Sequence, residues 1–196
     1  DKSLLRTDEA AGAVRYAMLE TVREYASERL REERRGEAMR ARHAQCYLAR
    51  ARGWSQAISE ARDSADAMLL FTVDLDNVRA GMDWCAERAD AAGAVEFAKA
   101  LFPFLRRRGL YTECDTRLAV AEDAARSTGD RVVLARLLNQ RGLVAWDRFS
   151  LEPARELFRE SYEISRDLGD TGRMLPTLIN LGNVVWGHGD YPEARR

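Results

Sequence analysis

The sequence has little proline, cysteine, histidine or aromatic, and no surplus of either charge. Four prolines and few β-branched residues leave long stretches free to be helical, and Ala, Leu, Glu and Arg, all good helix formers, dominate. Nothing after about residue 20 reads as a strand. Three cysteines (Cys46, Cys85, Cys114), about 30 to 40 residues apart and without a CxxC pair, exclude a disulfide framework and read as small buried hydrophobes. Only two histidines are present; His43 lies one helical turn from Cys46, but no second pair at usable spacing joins them, so no metal site is expected. With 31 Lys and Arg against 32 Asp and Glu, the charge is −1, and the signs are interspersed as on solvated helix faces. That balance excludes a nucleic-acid footprint along the whole chain. No apolar run approaches the roughly 20 residues a membrane span needs, and no signal layout opens the chain, so a cytoplasmic protein is expected.

What the chain does have is a repeat. Leu138-Asn-Gln-Arg-Gly-Leu-Val-Ala-Trp146 returns as Leu178-Ile-Asn-Leu-Gly-Asn-Val-Val-Trp186, and Ala154 returns as Ala194, all offset by 40. A more degenerate copy lies 40 residues earlier, where Leu118 matches Phe158 and Cys114 matches Ala154. Each unit divides into a helix A (about 132–147 in the middle copy) and a helix B (about 152–167), with Leu168-Gly169-Asp170 as stop and cap. Gly142 and Gly182 are expected to bring helix A close to a neighbour. Leu157, Ser161, Ile164 and Leu168, with Phe158, are expected to form the inward stripe of helix B. No unit can bury such a stripe alone, so stacking creates the core. The N-terminal part differs: 3–6 and 14–18 flank a polar, Gly-containing stretch and read as a hairpin, followed by helices over 19–31 and about 37–62, the latter weakened at Gly53.

Leu-Gly at the seventh and eighth positions, Tyr after a loop Gly-Asp and a small residue opening helix B resemble the tetratricopeptide repeat, in an extended 40-residue form. Arg141 stands where the family has Leu, Phe149-Ser150 where it has Gly-Asp, and the first copy has Phe102 for glycine with Pro103 inside helix A, which predicts a kinked or partly filled groove there. Ser3-Leu-Leu and Leu19-Glu-Thr-Val-Arg-Glu-Tyr-Ala26 resemble the junction at which, in bacterial STAND-class signal-transduction ATPases, a winged-helix domain gives way to helical repeats; many of these are LuxR-type or antibiotic-regulatory transcriptional regulators.

The resemblance implies an all-α, right-handed helical-hairpin superhelix with a short N-terminal β-hairpin. Its parts would be residues 1–33 as the end of a winged-helix domain, 34–92 as lead-in helices and 93–196 as repeats, the last truncated. It also implies an ATPase module upstream, and a binding groove lined by positions five, nine, twelve and thirteen of each helix A. Those positions are Lys99, Pro103, Arg106 and Arg107 in the first copy, Asn139, Leu143, Trp146 and Asp147 in the second, and Ile179, Asn183, Trp186 and Gly187 in the third. Both tryptophans could equally pack between repeats.

The residues themselves offer no catalytic constellation. No phosphate-cradling glycine loop is present, Gly187-His-Gly-Asp190 reads as a turn, and Asp74, Asp76, Asp83 and Glu87 read as a solvated face or helix caps. Arg106-Arg107-Arg108 reads as a solvated helix end, or less readily as a phosphate contact. The expectation is a sensor or interaction arm of such a regulator. It would bind a protein, a peptide or a small-molecule effector, with no catalysis, cofactor, metal, direct nucleic-acid or membrane contact of its own. The alternative is a free-standing tetratricopeptide scaffold that binds a peptide of a partner protein.

Overall fold

The computed structural model describes residues 4–10, 13–32, 35–61 and 64–187. The chain is all-α but for one hairpin and divides into two compact units, Asp1–Trp84 and Cys85–Arg196.

In the first unit, β1 (Leu5–Ala10) pairs antiparallel with β2 (Ala13–Met18), Leu5 opposite Met18 and Thr7 opposite Tyr16. The pairing continues to Ala10 opposite Ala13, so the strands reach deeper into the polar stretch than its composition suggests. Three helices follow: α1 (Glu20–Glu32), α2 (Gly36–Ser59) and α3 (Ser64–Glu87). Gly53 does not break α2. Ala44, Ala51 and Ile58 recur every seven residues along α2 and are buried, as are Phe71, Val78 and Met82 of α3. The Trp54 and Phe71 rings meet at 5.5 Å between centroids.

The second unit is built on a beat of 20 residues. Its helices are α4 (Ala91–Arg107), α5 (Tyr111–Thr128), α6 (Arg131–Asp147), α7 (Leu151–Asp167) and α8 (Thr171–Gly187). Each begins after a residue with positive φ: Ala89, Gly109, Gly129, Phe149 and Gly169. At every turn the next amide bonds back to a carbonyl five residues earlier: Asp90 to Cys85, Leu110 to Leu105, Asp130 to Ala125, Ser150 to Ala145 and Asp170 to Ser165, at 2.9–3.1 Å. This is the Schellman closure, which satisfies carbonyls that a helix end leaves open. Helices α4, α6 and α8 are further capped by an aspartate: Asp90, Asp130 and Asp170 each accept from the amide three residues on, at 3.0 Å. Helices α5 and α7, led by Leu110 and Ser150, have no such side-chain bond. Pro103 lies inside an uninterrupted α4.

Packing within the unit follows the small residues. A Cβ at Gly142 would lie 2.5 Å from the Phe158 ring, so the missing side chain is what seats that ring against α6. Ser161, fully buried on α7, donates to the Ala135 carbonyl of α6 at 2.6 Å. Ala154 and Phe158 are buried with Val184 of α8, and Leu143, Trp146, Leu151 and Leu181 pack around them. The helix B expected against Gly182 lies outside the described residues. Two expectations fail. Leu168 falls after the last turn of α7 and is exposed, not part of the stripe. Cys46 is exposed on α2, whereas Cys85 and Cys114 are buried.

Arg141, unusual for its position, is explained by its partners. It donates at 2.8 Å both to Asp115 and to Glu122 of α5, and Glu122 also accepts from Arg126, which reaches Glu160 of α7. Burial opposes the guanidinium charge, but the two carboxylates outweigh it and hold the Arg141 pKa above its ordinary value. The bridge ties α5, α6 and α7 together. Because Glu122 is nearly buried, Arg141→Leu should cost about 1–2 kcal/mol, read by urea titration. Adding Glu122→Leu should restore part of it. No change in either variant would mean that the network is solvated and contributes nothing.

Candidate interaction wall

Helices α4, α6 and α8 stand side by side, joined by polar side chains at the C-terminal ends of α4 and α6 and at the middles of α6 and α8. Arg106 of α4 makes two hydrogen bonds to Asp147 of α6, at 2.5 and 3.1 Å. Asn139 of α6 accepts through Oδ1 from Asn180 Nδ2 of α8 at 3.0 Å, with Thr177 Oγ1 at 3.4 Å. These contacts span 38 to 41 residues, close to the 40-residue repeat offset. Positions drawn from three distant segments are thereby brought into one wall.

The residues predicted to line a groove divide by what they touch. Lys99 is half-buried and donates to Glu96 at 2.6 Å. Arg106 and Asp147 neutralise each other, and Arg107 is exposed. Pro103 and Leu143 are half-buried. Asn139 bonds the neighbouring helix through its carbonyl, a role the sequence reading did not foresee; Asn180, its donor, was not among the predicted residues. Ile179, Asn183 and Trp186 are exposed on α8.

The two tryptophans part company. Trp146 leans on the Ala154–Phe158–Val184 cluster, and its ring lies so close to the Gly187 backbone that a Cβ there would meet it at 3.1 Å. Trp186 is 63% exposed. One is largely a packing residue; the other presents an indole to solvent.

Other candidate chemistry resolves into local contacts. His43 Nε2 lies 3.2 Å from Asn77 Oδ1, and Asn77 donates to Asp74 at 3.1 Å. Asp74, expected on a solvated face or at a cap, is fully buried and pairs with Arg50 at 3.3 Å; the Arg50 guanidinium lies over the rings of Tyr47 and Trp54. Asp76 is solvated and pairs with Arg79 on its own helix. Burial raises the Cys114 thiol to about 12 and, with Asp90 adding to it, the Cys85 thiol to about 11, so neither is poised as a thiolate at neutral pH. Gly187 ends α8; His188, Gly189, Asp190 and Ala194 lie outside the described residues. No described helix is long and apolar enough to cross a membrane.

No protein-family model matches the chain. Over 93% of its length the chain is 29% identical to proteins of Mycobacterium bovis and Mycobacterium tuberculosis that carry the provisional name of HTH-type transcriptional regulator. The chain spans about a fifth of the length of these relatives, 21%. It is thus distantly similar, over nearly all of itself, to one part of much longer proteins so named.

Proposed function

We propose that the chain is the interaction arm of a multidomain transcriptional regulator. In this reading the wall of α4, α6 and α8 binds a protein, a peptide or a small-molecule effector and reports it to a STAND-type ATPase module elsewhere in the same protein. The repeats are of tetratricopeptide type, residues 1–33 close a winged-helix domain, the setting is cytoplasmic, and the arm itself carries out no catalysis. The observation that carries the reading is the pair of polar joints, Arg106–Asp147 and Asn139–Asn180, that aligns α4, α6 and α8 into one wall. On α8, Ile179, Asn183 and Trp186 are exposed. A solvent-facing indole next to an amide offers an apolar anchor and two kinds of hydrogen-bonding group, the usual elements of a binding hot spot. The distant similarity to longer proteins named as transcriptional regulators supports the setting.

The test uses the full-length parent. A phosphate-binding Gly-x-x-x-x-Gly-Lys-Ser/Thr motif upstream of Asp1 is the expected observation, and its absence would remove the ATPase reading. In that parent, Asn183→Ala with Trp186→Ala should change ATP hydrolysis severalfold while circular dichroism stays unchanged, since neither side chain is buried. Hydrolysis identical to the parent's would move the responsive surface elsewhere. A parent composed of repeats alone would favour a free-standing peptide-binding scaffold.

A further inference from the structure

The turn at Phe149 is the one place in the 20-residue beat where a large side chain occupies the left-handed conformation. The other turns of the second unit have Ala89, Gly109, Gly129 or Gly169 there, and Phe149 has φ 57°. A β-carbon is strained in that region, and a bulky side chain does nothing to relieve it. Burial does not offset the strain, because Phe149 is 89% exposed.

Its surroundings carry a local excess of positive charge. The Arg106–Asp147 bond joins the ends of α4 and α6 and so sets the turn at 107–110 beside the turn at 148–150. Leu110, on the first of these turns, is exposed as well. Among the described residues, Arg107, Arg108 and Arg148 have no carboxylate partner. By contrast Lys99, Arg106, Arg126, Arg131, Arg141 and Arg173 all do. Asp147, next to Arg148 in the sequence, is already held by Arg106. Arg107 and Arg108 on one turn and Arg148 on the other are thus left uncompensated, and the second turn carries an exposed aromatic in a strained backbone position.

We propose that these two adjacent turns dock an acidic peptide segment carrying an apolar side chain. The arginines take its carboxylates, for which their planar fork is suited, and Phe149 and Leu110 take the apolar residue. This edge lies at the ends of the helices and is distinct from the α8 face. A protein segment fits better than a nucleic acid. The cations are few, the chain is −1 overall, and Glu152 follows closely on α7, all of which disfavour a continuous polyanion.

The experiment measures fluorescence anisotropy of a labelled peptide of Asp and Glu with two Leu spaced i, i+4, titrated at low salt with the 196-residue chain. The same peptide with Lys for its acids, and a thymidine oligonucleotide, are run beside it. Saturable binding of the acidic peptide alone is expected. Phe149→Gly should weaken it roughly tenfold while raising Tm by about 2–4 °C through relief of strain. Arg107→Ser with Arg108→Ser should weaken it and flatten its salt dependence. Arg136→Ser, which removes an exposed arginine far along α6 from this edge, should leave it unchanged. The proposal is overturned by absence of binding, by an oligonucleotide that binds more tightly, by unaltered affinity in Phe149→Gly, or by an equal loss in Arg136→Ser. A Tm that does not rise in Phe149→Gly removes the strain on which it rests.

Discussion

Phe158→Ala is expected to lower the stability of the repeat unit by about 3–5 kcal/mol, the range for deleting a fully buried aromatic. The Phe158 ring is 1% exposed, lies on the Gly142 backbone of α6 and shares a cluster with Ala154 and Val184. Its loss would leave a void that no neighbour can easily fill. On one side stands helix backbone, which cannot collapse without breaking its own hydrogen bonds; on the other are Ala154 and Val184, too short to reach across. Equilibrium unfolding in urea, followed by tryptophan fluorescence, is a direct measure, because Trp146 packs against the same cluster. A loss below about 1 kcal/mol would show that the ring is not the keystone of the α6–α7 pair.

Gly142→Ala should cost about 1–3 kcal/mol by the opposite error, overpacking. An added Cβ would lie 2.5 Å from Cε1 and 2.6 Å from Cδ1 of Phe158, a separation that only a shift of ring or helix can relieve. The comparison that isolates the effect is Gly182→Ala, the same substitution at the equivalent position one repeat later. There a Cβ meets none of the described residues within 4 Å, and in the 196-residue chain alanine should stabilise α8 by about 0.5–1 kcal/mol through helix propensity alone. Opposite signs at two glycines related by the repeat are the expected result. Destabilisation at both sites would mean that backbone conformation, not the neighbouring ring, governs the glycine. Combining Gly142→Ala with Phe158→Leu should cost less than the sum of the two, because the shorter side chain vacates the space the methyl enters. The first repeat shows the same exchange in its sequence: the positions of Gly142 and Phe158 hold Phe102 and Leu118, a larger residue on one helix beside a smaller one on the next.

Much of the architecture was legible from residues alone. Helix limits for α6 and α7 fall within one residue of the sequence reading, because their stops and starts are local chemistry: Gly129-Asp130 and Gly169-Asp170 close one helix and cap the next. The 20-residue beat was less visible because two of its left-handed positions, Ala89 and Phe149, are not glycine. The unusual Phe149 could be seen in the sequence as a departure from the pattern, but its exposure could not.

The candidate wall was legible in outline and not in detail. Counting along a repeat selects Asn139 and Asn183 alike, yet Asn139 bonds Asn180 while Asn183 faces solvent. It selects Trp146 and Trp186 alike, yet one is packed and the other open. Asp74, an ordinary polar residue by its spacing, is buried against Arg50. The sequence by itself determined the all-α class, the repeat and most helix ends, since capping, glycine stops and apolar periodicity act within a few residues. Tertiary structure alone decided which contacts each repeated side chain makes and how far it is buried. Burial depends on what a segment some 40 residues away brings against it, and equivalent positions meet different neighbours.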